Sequence, residues 1–207
     1  MISADEALTR LREGNRRFVA GAPRQSNDTS ALRADLAEGQ APFAVILGCS
    51  DSRVPVEMVF DQSFGDLFVI RVAGNVVAPS QIGSIEFAAE TFGTPLVVVL
   101  GHTRCGAISA TLDSLRNPGG EQSRNLRSIV DRIRPSLEAL MATDLRDKPD
   151  ELAEAAIRAN VRVSAGHLRS SSTILESRIE RGELRVVGAE YQLETGEVDF
   201  FEGVDDA

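Results

Sequence analysis

The sequence predicts an α/β fold: a mostly parallel central β-sheet flanked by helices, with an extended N-terminal helical arm. Three observations carry that prediction. Apolar runs of strand length, at 43–48, 67–72, 95–101 and 184–189, alternate with segments of helical period. The Val97-Val98-Val99-Leu100 centre is apolar on both faces, as in a parallel strand covered by helices on either side. The runs ending at Gly48 and Gly101 are each followed by chemically active residues, and in open α/β sheets sites form beyond the carboxyl ends of strands where strand order reverses.

Taken in order, residues 3–20 read as an amphipathic helix with Leu8, Leu11 and Phe18 near one face. Residues 21–30 are polar, with a Gly and a Pro, and read as an arm-like connection; 30–38 suit a short helix ended by Gly39. Strand one is followed by a short connection over 54–62, helical after Pro55. Strand two leads into an Ala73-Gly74-Asn75 turn. Residues 80–92 read as a helix capped by Ser80, with Ile82, Ile85, Phe87, Ala88 and Phe92 on its apolar side. After strand three, helical patterns run over 106–115, 122–142 and 150–168, with Pro135 expected to kink or divide the middle one. A helix over 171–181 ends at Gly182, strand four follows, and Thr195-Gly196 turns the chain into an edge strand at 198–201.

At 207 residues and 43% hydrophobic, the expectation is one domain, with residues 1–42 as the arm and 43–207 as the core. A formal net charge of -9 argues against a general nucleic-acid or anionic-membrane binder. No stretch approaches the ~20 apolar residues of a membrane span. The start, Met1-Ile2-Ser3-Ala4-Asp5-Glu6, has neither the basic head nor the apolar middle of a signal peptide, so a cytoplasmic location is expected. In that reducing setting the chain's two cysteines point to metal binding or catalysis before a disulfide.

Strand one runs into Cys49-Ser50-Asp51-Ser52-Arg53, and alternation in extended chain would place Cys49, Asp51 and Arg53 on one face. Strand three runs into His102-Thr103-Arg104-Cys105-Gly106. Cys49, His102 and Cys105 form a three-ligand set whose softness suits zinc. Three protein ligands leave a fourth position for water, the catalytic arrangement, and zinc lowers the pKa of such a water toward neutrality. Asp51 is placed to accept a hydrogen bond from the resulting nucleophile, held by the fork of Arg53. A bland alternative stands beside this for each lone cysteine, as a small core residue. A closed site with Asp51 as fourth ligand is the other alternative. His167, in a helical pattern with no ligand partner nearby, reads as an ordinary helix residue.

Cys-Ser-Asp-Ser-Arg-Val followed by His-Thr-x-Cys-Gly-Ala resembles the β-class carbonic anhydrases. The likeness extends to Glu13-Gly14-Asn15-Arg16-Arg17-Phe18, Gly39-Gln40-Ala41-Pro42, Arg71-Val72-Ala73-Gly74-Asn75, Gly83-Ser84-Ile85-Glu86 and Val187-Gly188-Ala189-Glu190-Tyr191, and so covers nearly the whole chain.

The resemblance implies Zn2+ on Cys49, His102 and Cys105, an Asp51–Arg53 catalytic dyad, and CO2 and bicarbonate as substrates. It implies that Gln40 orients substrate from a neighbouring subunit, in a dimer or dimer of dimers, that Phe68 and Phe87 line an apolar pocket, and that the Gly106 N–H donates to bicarbonate. Arg104 adds a positive charge between the ligands. A regulated subset of the family binds bicarbonate in a second pocket through a Trp, an Arg and a Tyr; Ile46, Arg71 and Tyr191 stand at those places, so that pocket is not expected in its usual form. Two other functions fit the same scaffold: hydrolysis of carbonyl sulfide or carbon disulfide, and a non-catalytic zinc-stapled assembly module.

Overall fold

The computed structural model describes residues 2–24, 33–34, 36–119 and 123–204. Helix α1 (Ala4–Val19) opens with a capping box, in which Ser3 Oγ accepts from the Glu6 N–H and the Glu6 carboxylate accepts from the Ser3 N–H. Its buried face, Ala7, Leu8 and Leu11, packs against Phe60 beside the short helix α2 (Val56–Val59). Asn15 fastens it further, donating to the carbonyls of Val59 (3.1 Å) and Gly196 (2.8 Å) and accepting from the Val198 N–H (2.9 Å). The helical part of the arm thus belongs to this chain's own core. Most of the connection read over 21–30, and part of the helix read over 30–38, lie outside the described residues.

Five strands form one sheet in the order β2-β1-β3-β4-β5. They are β1 (Ala44–Gly48), β2 (Leu67–Arg71), β3 (Leu96–His102), β4 (Arg185–Tyr191) and β5 (Val198–Glu202). The first four are parallel, so the sheet is mostly parallel as the sequence predicts, and the edge strand β5 pairs antiparallel to β4. Strands β3 and β4 run past their apolar centres because their ladder continues to the pair His102 and Tyr191. The chain goes from β1 outward to β2, then returns to place β3 on the other side of β1. The strand order therefore reverses between β1 and β3, and Cys49 and His102 lie at that switch point.

The pleat sends Ala44 and Ile46 to a layer with α1, and Val45 and Leu47 to a layer with the helices of the other face. That other face is covered by α3 (Pro79–Thr91), α6 (Pro149–Ser170) and α7 (Thr173–Glu180). Helices α4 (Gly106–Arg116) and α5 (Arg124–Met141) join α6 in a third apolar cluster beneath the switch point.

One local expectation is corrected and another is narrowed. Helix α3 is not capped by Ser80: Ala78 is its N-cap without a side-chain bond, and Pro79 occupies the first turn, where its fixed φ and missing N–H suit a helix start. Pro135 does not divide α5, which is continuous from Arg124 to Met141. The Ala73-Gly74-Asn75 turn is a short 3-10 segment with positive φ at Gly74 and Asn75.

Candidate active site

The donor atoms of Cys49, His102 and Cys105 lie within 4.8 Å of one another, and all three residues are buried. Each is delivered by a different local device. Cys49 follows β1 directly, His102 is the last residue of β3, and Cys105 is the N-cap of α4. The His102 Nδ1 faces the Thr103 carbonyl at 2.9 Å, which assigns the ring proton to Nδ1 and leaves the Nε2 lone pair facing the sulfurs. That Nε2 is buried and has no hydrogen-bond partner among the described residues.

Charge in the pocket points the same way. The Cys49 thiol is pushed down, first by the hydrogen bond from Cys105, with burial opposing and with the Gly74 N–H assisting. The Cys105 thiol is pushed far up by the same bond, by burial and by the adjacent Cys49 charge. Two buried sulfurs thus compete for one negative charge, while an imidazole lone pair beside them lacks a donor. A soft dication satisfies all three at once, so the residues present fit a zinc ion.

Asp51 and Arg53 sit at the rim. Arg53 donates from Nε to Oδ1 (2.9 Å) and from Nη2 to Oδ2 (2.7 Å) of Asp51, a bidentate pair. The pair is not built by extended alternation. The chain turns at Asp51, with Val54 N–H bonded to the Asp51 carbonyl (3.1 Å) and Arg53 N–H bonded to Oδ1 (3.0 Å). The turn curls Arg53 back onto the carboxylate, a local motif in which Asp bonds backbone two residues on. Those bonds from Arg53 hold the Asp51 carboxyl far below the usual range. Its Oδ2 lies 3.9 Å from His102 Nε2, so an ionised carboxylate faces the donor cluster.

Further residues frame this loop. Arg71 donates to the carbonyls of Cys49 and Asp51, and the Gly74 N–H donates to Cys49 Sγ (3.4 Å). Arg104 has φ +56, and its carbonyl accepts from Arg53 Nη2 at 3.3 Å. The Arg104 guanidinium pairs with Glu194 at 2.6 Å, so its charge is answered outside the donor cluster. Gly106 opens α4, where first-turn N–H groups have no intrahelical partner.

Gln40, Phe68 and Phe87 do not join this group within one chain. Gln40 is exposed before β1, at the opposite end of the sheet, where it lines a cavity with Leu36, Phe64 and Phe92. Phe68 pairs with Val45, four residues before Cys49, or about 13 Å along the strand. Phe87 packs with Phe68 and Phe92, with ring centroids 6.3 and 5.6 Å away, and is half exposed. Of the residues matched to a second bicarbonate pocket, Ile46 and Tyr191 are buried and Arg71 is engaged with the Cys49 loop.

Sequence reasoning missed the bracing by Arg71, the N–H of Gly74 and the helix residues behind it. Arg71 and Gly74 carried a signal, since both stand in the stretch 71–75 that the resemblance covers. The helix residues carried none beyond being polar on a helix face.

Fold and site together define a class: an α/β protein presenting a buried Cys-His-Cys donor cluster that could hold a metal, with an ionised carboxylate beside it, at the switch point of a mostly parallel sheet. The comparisons narrow this. Residues 44–198 match the family described as carbonic anhydrase, and the chain belongs to that family. It is 42% identical over 189 residues to carbonic anhydrase 2 of Mycobacterium tuberculosis, covering 90% of this chain and 87% of the relative. It is 41% identical to a carbonic anhydrase of Mycolicibacterium smegmatis, covering 91% and 89%. Among solved structures, the β-carbonic anhydrase of Coccomyxa aligns with a TM-score of 0.73 at 25% identity, covering 94% of this chain and 86% of that one. A tetrameric β-carbonic anhydrase of Sordaria macrospora aligns at 0.72 and 29%, covering 87% and 89%.

Proposed function

We propose that this chain is a zinc-dependent carbonic anhydrase of the β class, interconverting CO2 and water with bicarbonate and a proton. The observation that carries the reading is the three-donor cluster with the Asp51–Arg53 pair beside it, 3.9 Å from His102 Nε2. A structural zinc wants a fourth protein ligand. Here the nearest candidate, Asp51, has both carboxylate oxygens engaged by Arg53.

Cys49, His102 and Cys105 would hold the ion, which when bound supplies the Lewis acidity that brings the pKa of water toward neutrality. The rest is the work of the chain's own residues. Asp51, kept ionised by Arg53, is an acceptor only. It takes a hydrogen bond from the nucleophilic water and turns a lone pair toward the CO2 carbon. It also disfavours anions that bring no hydrogen to donate. The Gly106 N–H, at the positive end of α4, would donate to a bicarbonate oxygen. The released proton passes to buffer.

Gln40, Phe68 and Phe87 complete the site from a second copy of the chain. They share one end and edge of the sheet, where Phe64, 59% exposed, lines the same cavity as Gln40. An apolar surface of this kind suits burial by a partner. The chain works as one domain in the cytoplasm. The relatives named above are carbonic anhydrases and lend no support to a carbonyl sulfide hydrolase or a stapled module.

Stopped-flow CO2 hydration on protein of verified zinc content tests the function, run beside carbonyl sulfide hydrolysis. Zinc-loaded protein that hydrates CO2 no faster than buffer would overturn it.

A further inference from the structure

Asn160 lies in the middle of α6 and is 2% exposed; Ser164, one turn on, is buried too. Polar groups buried on a helix face are costly unless hydrogen-bonded. Both reach the same short turn. Asn160 Nδ2 donates to the Gly74 carbonyl at 2.9 Å, and Ser164 Oγ donates to the Asn75 carbonyl at 3.3 Å.

The shape of that turn needs support. Gly74 has φ +68 and Asn75 φ +42, two successive residues in the left-handed region, and for a non-glycine residue this conformation is unfavourable. On its other side the turn is close-packed: a Cβ at Gly74 would stand 2.7 Å from Ile133 Cδ1 and 3.0 Å from Ala107 Cβ. The product of this arrangement is one N–H, that of Gly74, directed at Cys49 Sγ.

Helix α6 is itself set close to the sheet. Cβ atoms at Gly101 of β3 and Gly188 of β4 would each come within 2.6 Å of a Val161 methyl. Val161 fills the space those two glycines leave, and Asn160, the preceding residue, is thereby held against the turn.

We propose that Asn160 is a positioning residue for the metal centre. Through the Gly74 carbonyl it fixes the N–H that bonds the Cys49 thiolate, and so limits how much charge that sulfur gives to the metal. Ser164 supports the same turn from the next carbonyl. The inference rests on the zinc reading above. Hydrogen bonds outside the ligand sphere tune metal sites in this way, and their loss typically costs 10–100-fold in affinity or activity.

The test uses cobalt-substituted protein, in which the thiolate-to-Co(II) charge-transfer band reports electron density on sulfur. Asn160→Asp keeps the shape of the side chain and replaces its donor with an acceptor. The expected result is a band at lower energy than in the wild type, with kcat per bound metal lowered about 10-fold and KM unchanged. Ser164→Ala should move the band the same way by less. A variant that loses thermal stability but keeps the wild-type band and kcat overturns the proposal, since a merely structural role predicts that. Should Asn160→Asp not fold, Asn160→Ser, too short to reach the carbonyl, is read by the same criteria. Should that variant fail as well, Ser164→Ala decides alone. Wild-type protein that binds no metal would instead defeat the zinc reading, so the two failures are distinguishable.

Discussion

Arg71 Nε donates to the backbone carbonyl of Cys49 at 3.0 Å, and the same guanidinium donates from Nη2 to the carbonyl of Asp51 at 2.6 Å. The last residue of the edge strand β2 thus spans the loop that carries both Cys49 and the rim carboxylate. A fork can satisfy two carbonyls at once, whereas an ammonium is a single point charge. Arg71→Lys should therefore keep its zinc and lower kcat about 10-fold, the scale seen when partners of metal ligands are lost. Steady-state kinetics normalised to zinc content checks this, and wild-type kcat in the variant would show that the fork is dispensable.

Replacing any one of Cys49, His102 or Cys105 with Ala should abolish stoichiometric zinc and CO2 hydration together. The three donor atoms lie close enough to share one ion, and a two-ligand site in a buried pocket would be a poor competitor for it. Metal content by atomic absorption and activity are measured on the same samples. Full activity in zinc-free Cys105→Ala would refute the ligand assignment.

The Asp51–Arg53 pair makes a signed pH prediction. The folded-state pKa of Asp51 is depressed, chiefly by the hydrogen bonds of Arg53. A group depressed on folding contributes stability that is fully present above its unfolded pKa of about 3.9 and is lost as pH falls through the folded value. The stability difference between wild type and Asp51→Asn should be constant from pH 8 to pH 5 and shrink only below about pH 4. Urea titrations at several pH values measure it. A difference that stays constant as the pH falls from about 4 to about 2 would mean that folding does not shift Asp51. Activity, by contrast, should rise toward alkaline pH with ionisation of the nucleophilic water, and Asp51 should add no inflection in that range.

Gly188→Ala should destabilise the fold without touching a ligand. The new methyl would stand 2.6 Å from Val161 Cγ1 and 2.9 Å from Glu202 Cβ, so α6 or β5 must shift. Overpacking of this kind costs about 1–3 kcal/mol. Denaturant unfolding reads the loss. Combining it with Val161→Ala should recover part of that loss, because the second change removes the methyl that the first one meets. Additive losses in the double variant would place the strain elsewhere.

Much of this was legible because function and hydrophobic pattern coincide. The apolar runs that announce β1 and β3 end at the residues that carry chemistry, so strand and site were read from the same positions. What escaped depends on contacts distant in sequence or on local backbone shape. Asn160 and Gly74 are 86 residues apart, and nothing in a helical pattern says which turn its polar residue will meet. The Asp51–Arg53 pair was expected from alternation but is made by a turn, because a side-chain acceptor two residues back can capture a backbone N–H and fold the chain onto it. Ser80 misled for a related reason: Ser is a good cap, but the proline before it had already fixed the helix start.

Nine residues precede Cys49 from Gln40, and β1 fills most of that interval, so Gln40 enters the sheet at the end opposite its own donor cluster. Phe68 and Phe87 lie toward that same end, with Phe87 half exposed. If these residues serve catalysis, they serve it in another subunit. In a two-fold dimer the exchange is mutual, each copy lending its Gln40 to the other's Asp51. Complementation separates the two geometries. Gln40→Ala and Asp51→Ala are each expected to be weak as homodimers. In a mixed dimer, shared sites place wild-type Gln40 opposite wild-type Asp51 at one of the two positions, leaving both changes at the other. Activity should therefore return to about half that of a wild-type dimer, following from the two-fold count. Were Gln40 to act within its own chain, each site of the mixed dimer would keep one defect. Mixed dimers verified by mass spectrometry and no more active than the parent variants would then exclude a shared site.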